Sequence, residues 1–206
     1  MLIGSVHSGV VMAMAKGAKH TGTLLIVPNA GADAVTGLMC AANIFRNSFS
    51  NWQPGYAMGE VVAKKGQKKV VPITWKYAAG DESARGFKEA FEKGGGKVVK
   101  ELSVPFSNVE FQTLLNEIAA TKPDAVYTFF VGGGAVKFVK FVKFVKFVKF
   151  VKEYAGAGLK KSDSFTISKF NNPVQDIYLR QVTGKENKVV GVARKALTDP
   201  GRDCRL

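Results

Sequence analysis

Residues 69–134 read KVVPITWKYAAGDESARGFKEAFEKGGGKVVKELSVPFSNVEFQTLLNEIAATKPDAVYTFFVGGG and contain the pattern from which the fold class can be predicted. Short apolar runs of strand length alternate here with amphipathic stretches of helix length. The predicted strands are residues 69–75, 97–104 and 124–130, and the predicted helices are residues 81–93 and 108–121. Such alternation favours a parallel sheet with right-handed crossovers. The sequence therefore predicts an α/β fold, a parallel sheet with flanking helices.

The same pattern continues on both sides of this stretch. Pro72 weakens the strand prediction at 69–75, because proline cannot donate to a β-ladder. In the helix at 108–121, one face carries Val109, Phe111, Leu114, Leu115 and Ile118. Further elements are expected as helices at 8–19 and 52–65, a strand at 23–28, a helix after glycines 132–134, and a β-hairpin of 176–182 and 188–192 around 183–187.

Residues 138–152 are five tandem copies of Phe-Val-Lys. A period of three drifts by about 60° per copy around an α-helix, so the lysines encircle the helix and no apolar face forms. A strand would send the lysines alternately to both faces. We expect a helix that continues from Val136 and projects its extra turns into solvent.

Much of the net positive charge of this sequence lies in one segment, and its hydropathy excludes a membrane-spanning protein. The formal net charge is +14, but residues 137–152 hold six of the 30 Lys and Arg and no acid, which leaves 24 against 16, or +8, elsewhere. No apolar stretch is long enough to span a bilayer. The opening MLIGSVHSGV lacks the pattern of a signal peptide.

Only two histidines and two cysteines are present, and there is no Cys-x-x-Cys, so we expect no metal site. Cys40 and Cys204 are either free buried thiols or a single long-range disulfide, which requires an oxidising compartment.

The sequence does not match the common motifs of enzyme active sites. Glycines 132–134 follow a strand and precede a helix, but Lys137 stands where a dinucleotide loop has its third glycine. No G-x-S-x-G motif exists, and neither histidine has a serine and an acid at motif spacing. We expect a protein that is not an enzyme and needs no cofactor.

Two turns near the N-terminus favour a small-molecule site. The segment 4–9 (GSVHSG) offers the Ser8 hydroxyl and free N–H groups at a helix start, which suit a carboxylate. The turn at Asn29, Ala30 and Gly31 follows a strand, at the edge where open α/β sheets bind ligands. Each turn alone also fits ordinary helix capping and turn chemistry.

Taken together, several segments resemble the branched-chain amino-acid (leucine-binding) type of periplasmic substrate-binding protein of ABC transporters. They are IGSVHSGVVMAMAKGAKHTGTLLIVPNAGAD, NIFRNSFSNWQPGYAMGE, KKVVPITWKYAAGDESARGFKEAFEKGGGKVV, FSNVEFQTLLNEIAATKPDAVYTFFVGGGAVKFVK and NPVQDIYLRQV. The resemblance implies two α/β lobes that close on a solute, a periplasmic location, and ABC transporter membrane subunits as partners.

The resemblance also implies roles for individual residues. Ser8 and nearby backbone would hold the carboxylate of the solute, and the turn 29–31 would hold its other polar head. His7, next to Ser8, is a further candidate ligand-binding residue. Members of the family often have a hydroxyl side chain where Gly31 stands, which places amino-group recognition in question. Tyr77 stands in the loop from which the second lobe reaches the ligand. Trp52 has two open roles, lining the cleft or packing at the hinge.

Compared with this family, the chain reads as truncated and internally deleted, with an incomplete two-lobe architecture. We expect a partial first lobe at 1–50, a second lobe at 51–161, and a C-terminal hairpin at 162–206 that returns to the hinge or first lobe. Cys40 and Cys204 would then join this tail to the first lobe.

The leading hypothesis is a solute-binding protein for a branched-chain amino acid, an aromatic acid or another small carboxylate. One alternative is a structural fragment that binds no ligand. Another is a lysine-rich helix that binds anionic lipid or nucleic acid, although no nucleic-acid partner is expected because the charge lies in a low-complexity run.

Overall fold

The computed structural model describes residues 1–106, 110–144, 153–157, 166–183 and 186–206. The helices among them are α1 (Ser8–Thr21), α2 (Asp33–Thr36), α3 (Trp52–Lys64), α4 (Ala78–Lys93), α5 (Phe111–Ala120) and α6 (Gly133–Phe144). The strands are β1 (Leu2–Ile3), β2 (Leu25–Val27), β3 (Ile44–Arg46), β4 (Lys69–Trp75), β5 (Lys97–Val98), β6 (Leu102–Val104), β7 (Ala125–Phe129), β8 (Glu153–Ala157), β9 (Thr166–Ile167), β10 (Pro173–Thr183) and β11 (Glu186–Leu197). Two parallel sheets and one antiparallel sheet result, and the predicted α/β class is confirmed.

The first sheet has the parallel order β1-β2-β3. Helix α1 packs on it because Val11, Ala15 and Ala18 recur every three or four residues and are fully buried against Leu25 and Val27 of β2. The helix ends two residues later than predicted, where Gly22 takes the left-handed conformation with φ 70°.

The second parallel sheet is built around β4, which is central despite its proline. β7 pairs along one side of β4, while β5 and β6 pair with the two ends of its other side. The carbonyl of Val70 accepts a hydrogen bond from the N–H of Val99, and the N–H of Lys76 donates to the carbonyl of Val104. Even-numbered residues of this strand therefore direct their backbone groups toward β5 and β6. Pro72 is one of them. The missing N–H therefore falls in the gap between β5 and β6, and the expected weakening of this strand was wrong.

Helices α3 and α4 cross with their backbones in close contact. A Cβ atom on Gly55 would lie 2.3 Å from the carbonyl oxygen of Ser83, and one on Gly59 would lie 2.3 Å from that of Phe87. On the opposing helix, a Cβ on Gly86 would lie 2.5 Å from the carbonyl oxygen of Trp52. Glycine at these positions lets the two helices approach more closely than any side chain would permit.

The predicted hairpin forms, with longer strands than expected. β10 pairs antiparallel with β11 on one side and with β8 on the other. Ile177 and Leu197 of the hairpin pack against Trp52 and Tyr56 of α3. Residues 153–157, placed in the second lobe by the sequence, thus belong to the sheet of the hairpin, and residues 184–185 of its turn lie outside the described residues.

The C-terminal tail also contacts the first sheet. A disulfide joins Cys40 and Cys204, whose Cα atoms are 5.6 Å apart. The backbone N–H of Arg46 donates to the carbonyl of Asn171 at 2.9 Å, which connects β3 with the segment before the hairpin. The chain beyond residue 166 therefore contacts both the first sheet and α3.

The first copies of the repeat contribute to the core. Phe138 is buried, with its ring centroid 5.3 Å from that of Phe111 and 4.9 Å from that of Phe130, and Phe141 packs on the same cluster. The expectation of no buried side was wrong for these copies, because positions three apart share a face over one helical turn. Residues 145–152 of the repeat lie outside the described residues.

Several predicted boundaries need correction. The expected strand 97–104 is two short strands, and the helix expected at 81–93 begins at Ala78. In the helix expected at 108–121, Phe111, Leu115 and Ile118 are buried as predicted, whereas Val109 lies outside the described residues.

Candidate functional site

The carboxyl ends of the two parallel sheets face each other at His7 and Tyr77. His7 follows β1, and Tyr77 follows β4. Their rings are stacked, with centroids 5.4 Å apart and an interplanar angle of 27°. Since ligands bind beyond the carboxyl ends of strands in open α/β sheets, this contact marks the candidate site.

One wall of the site is the N-terminus of α1. His7 is the N-cap, and its Nδ1 accepts a hydrogen bond from the N–H of Gly9 at 3.1 Å. A neutral His7 that accepts through Nδ1 carries its hydrogen on Nε2, where it can donate to a ligand. Ser8 is buried, and its Oγ accepts a bond from Nδ2 of Asn51 at 3.2 Å.

The turn at residues 29–31 lies beside this wall and is held by backbone contacts. Asn29 is exposed, whereas Ala30 and Gly31 are buried. The N–H of Ala30 donates to the carbonyl of Ser5 at 2.9 Å, and the carbonyl of Gly31 accepts from the N–H of Asn51 at 2.7 Å. A Cβ atom on Gly31 would lie 2.3 Å from Oδ1 of Asn51, so a side chain at this position would require the Asn51 carboxamide to move.

Arg46 supports that turn from the protein interior. Its side chain is fully buried and donates to the carbonyls of Ala30 at 3.4 Å and Ala32 at 3.0 Å, and also to Oγ1 of Thr36. A buried guanidinium with this many acceptors fixes the loop geometry.

The opposite wall is aromatic and follows the strands of the second sheet. Phe106 comes after β6 and is 52% exposed. Its ring centroid lies 5.0 Å from that of Tyr77 in an edge-to-face arrangement and 5.1 Å from that of Trp75 in a stacked one. Phe129, at the end of β7, lies 6.4 Å from Tyr77. Phe106 was missed from the sequence, although its place directly after a strand was a usable signal.

An acidic pair lies behind the walls. The Glu82 carboxylate accepts from Nδ2 of Asn51 at 2.7 Å, and Asp33 accepts from the N–H of Trp52 at 3.1 Å and pairs with Arg85 at 2.6 Å. Burial and, to a lesser degree, the nearby Asp33 raise the pKa of Glu82 from 4.5 to about 7, although the bond from Asn51 acts to lower it. Burial likewise raises the pKa of Asp33 to about 6. A buried carboxyl and a second, largely buried one beside it resist being ionised together.

Trp52 makes the contacts of a packed residue. Its Nε1 donates to Glu89 at 2.9 Å, its ring centroid is 4.4 Å from that of Tyr56, and the Arg202 guanidinium lies 5.7 Å from the ring. Of the two roles that the sequence leaves open for Trp52, these contacts favour packing at the junction of α3 and the tail.

A family model described as "Periplasmic binding protein" matches residues 1–184. The chain belongs to the periplasmic binding protein family. The resemblance stated from the sequence is therefore confirmed.

Solved structures show the same fold. A solute-binding protein of an ABC transporter from R. palustris, in complex with benzoate, superposes with a TM-score of 0.92 at 33% identity, covering 100% of this chain and 81% of that one. A leucine-, isoleucine-, valine-, threonine- and alanine-binding protein from Brucella ovis, in a closed conformation, gives a TM-score of 0.80 at 11% identity, covering 93% and 75%. The second likeness is evidence of fold alone.

Curated relatives include Leu/Ile/Val-binding protein homolog 6 of Brucella abortus (strain 2308), 27% identical over 122 residues, which are 59% of this chain and 31% of that protein. Homolog 3 of Brucella melitensis biotype 1 (strain ATCC 23456 / CCUG 17765 / NCTC 10094 / 16M) is 30% identical over 129 residues, 61% of this chain and 34% of that protein. The match thus spans about a third of the length of these relatives.

The described part of the chain shows neither a membrane-spanning helix nor a cluster of metal ligands. There, no helix combines the length and the hydrophobicity that crossing a bilayer demands. Within the same residues, no three His, Cys, Asp or Glu side chains are grouped as a metal ion would need.

Proposed function

We propose that this periplasmic binding protein serves an ABC importer and binds a small aromatic carboxylate between the N-terminus of α1 and the aromatic wall of the second sheet. The observation that carries the proposal is the stacking of His7 on Tyr77 across the facing edges of the two sheets. Binding makes or breaks no bond, and its free energy selects the closed arrangement of the lobes.

The first wall supplies what a carboxylate requires. The first turn of α1 presents backbone N–H groups and the positive end of the helix dipole. The Ser8 hydroxyl and the Nε2–H of His7 add two side-chain donors next to them. The same groups would favour the carboxylate of an amino acid equally, so the rest of the solute decides the choice.

The second wall favours an aromatic ring over an α-amino group. Tyr77 and Phe106 offer ring faces and edges on which another ring can pack. Glu82 is already bonded to Asn51, Asp33 is paired with Arg85, and Gly31 has no side chain that could bond an amino group. The benzoate found with the relative at 33% identity agrees with this preference.

A branched-chain amino acid is the second candidate, because the curated relatives are named Leu/Ile/Val-binding protein homologues. Either solute would be passed to the membrane subunits of the importer. We place the protein in the periplasm, where the disulfide between Cys40 and Cys204 is stable.

Isothermal titration calorimetry with benzoate, 4-hydroxybenzoate and L-leucine tests the proposal. We expect benzoate to bind, and His7→Ala and Tyr77→Ala each to weaken it at least tenfold. His20→Ala is the matched control, because His20 is exposed in the last turn of the same helix and should leave affinity unchanged. Binding of leucine alone would favour the second candidate, and binding of no solute would favour the structural-fragment alternative.

A further inference from the structure

Asn51 connects three segments that border the candidate site. It is buried at the N-cap of α3, and its carboxamide Nδ2 donates both to Oγ of Ser8 at 3.2 Å and to Oε2 of Glu82 at 2.7 Å. Its backbone N–H donates to the carbonyl of Gly31 at 2.7 Å. One residue therefore touches α1 and the turn after β2 on the first sheet, and α4 beside the second sheet.

The chemistry of a carboxamide fits this position closely. An amide NH₂ group has two donor hydrogens, which the two acceptors Ser8 and Glu82 use fully. Because the Ser8 hydroxyl accepts from Asn51, its own hydrogen is left to donate elsewhere, and the solute carboxylate would lie at the same helix end. The other side of the carboxamide, Oδ1, lies against Gly31, in the space that a side chain on this glycine would occupy.

We infer that Asn51 is a positioning residue for the solute: it orients the Ser8 hydroxyl toward the bound carboxylate and holds Glu82 and the Gly31 turn in register with it. This inference rests on the proposed function. It assigns Asn51 no direct contact with the solute, so its effect must pass through Ser8 and Glu82.

A double-mutant cycle tests the path through Ser8. Asn51→Asp keeps the shape of the side chain but loses both donor hydrogens, and it adds a negative charge, so the cycle is run with the uncharged Asn51→Ala as well. We expect Asn51→Asp and Ser8→Ala each to weaken benzoate binding at least tenfold in calorimetry at pH 7.5, and the double variant to be no more than about threefold weaker than the poorer single variant. Asn116→Asp, the same change at an exposed amide of α5, should leave affinity unchanged.

A pH profile tests the path through Glu82. The groups that face this carboxyl are Asp33 with its backbone N–H, Arg85, Asn51, and, at longer range, Tyr77 and Arg46. An ionised Glu82 repels the solute carboxylate, so wild-type affinity should fall as pH rises through the pKa of Glu82. Losing the Asn51 donor disfavours the ionised form, so in Asn51→Ala this fall should move to higher pH, and in Glu82→Gln it should be absent.

The outcomes separate this inference from the proposed function. If wild type binds benzoate but the effects of Asn51→Ala and Ser8→Ala simply multiply, the inference is overturned and the proposed function stands. The inference is also overturned if benzoate affinity falls over the same pH range in Asn51→Ala as in wild type. If wild type binds none of the tested solutes, both fail together. Should Asn51→Asp not fold, the cycle with Asn51→Ala decides alone, because it removes the donors without adding a charge.

Discussion

Glu82 shows how one residue links stability to pH. Its side chain is buried in the first turns of α4, beside Asp33 from α2. The pKa of this carboxyl is raised from 4.5 to about 7. Between these two values the folded protein binds more protons than the unfolded chain. The contribution of the protonated Glu82 carboxyl to the stability of the folded protein is therefore complete below pH 4.5, and it is lost as pH rises through about 7.

The variant Glu82→Gln should remove this dependence, because glutamine keeps an acceptor for Asn51 and cannot ionise. We expect the free energy of unfolding at pH 8 to rise by roughly 1–2 kcal/mol, and its slope between pH 5 and 8 to become shallower. Urea unfolding at several pH values measures both. Glu92→Gln, at an exposed position of the same helix, is the control. Equal slopes for wild type and Glu82→Gln would contradict the prediction.

At the scale of elements, the pair α3 and α4 depends on glycine. Gly55 and Gly59 are four residues apart, so they lie on one face of α3, and each touches a carbonyl oxygen of α4. Gly86 does the same from the other helix. This contact joins the segment after the first sheet to the helix that carries Glu82.

We expect Gly59→Ala to lower the free energy of unfolding by about 1–3 kcal/mol, because the new methyl group forces the helices apart. Gly17→Ala is a matched control in the interior of α1, where a Cβ meets no atom within 4 Å. There, alanine should raise stability by about 0.5–1 kcal/mol through better helix propensity. Chemical denaturation of both variants measures the difference, and a neutral Gly59→Ala would show that the helices can separate without cost.

The elements were predictable where a local pattern determined them. The helix at Ser8 and the strand at 69–75 follow from periodicity and apolar runs, and both form. The central place of Pro72 was not predictable, because it depends on the gap between β5 and β6 lying opposite the proline. Of the candidate site, the sequence indicated His7, Ser8 and Tyr77, but Asn51 and Phe106 are placed there by contacts with residues far along the chain.

The C-terminal tail closes the chain on itself. The disulfide links residues 164 positions apart. Gln53 of α3 donates from Nε2 to the carbonyl of Leu197 at 2.7 Å, and Arg194 pairs with Glu60 at 2.8 Å. The last strand and the tail therefore stabilise the arrangement of α3 relative to the first sheet.

Reduction of this disulfide should lower the free energy of unfolding by about 2–5 kcal/mol, because a long loop is released in the unfolded chain. Urea unfolding with and without a phosphine reductant measures the change. The double variant Cys40→Ser, Cys204→Ser should match the reduced protein and show no further response to reductant. A midpoint that reductant leaves unmoved in wild type would contradict the prediction.

Closure by Cys40 and Cys204 bears on how this sequence tolerates growth. The five Phe-Val-Lys copies lie between the two cysteines, inside a ring whose ends are already fixed. The entropy of closing a ring rises only with the logarithm of its length, so twelve extra residues, four copies, would cost less than about 0.1 kcal/mol. Duplication within the ring therefore leaves the free energy of ring closure almost unchanged, whereas the same copies inserted into β4 would disrupt its sheet.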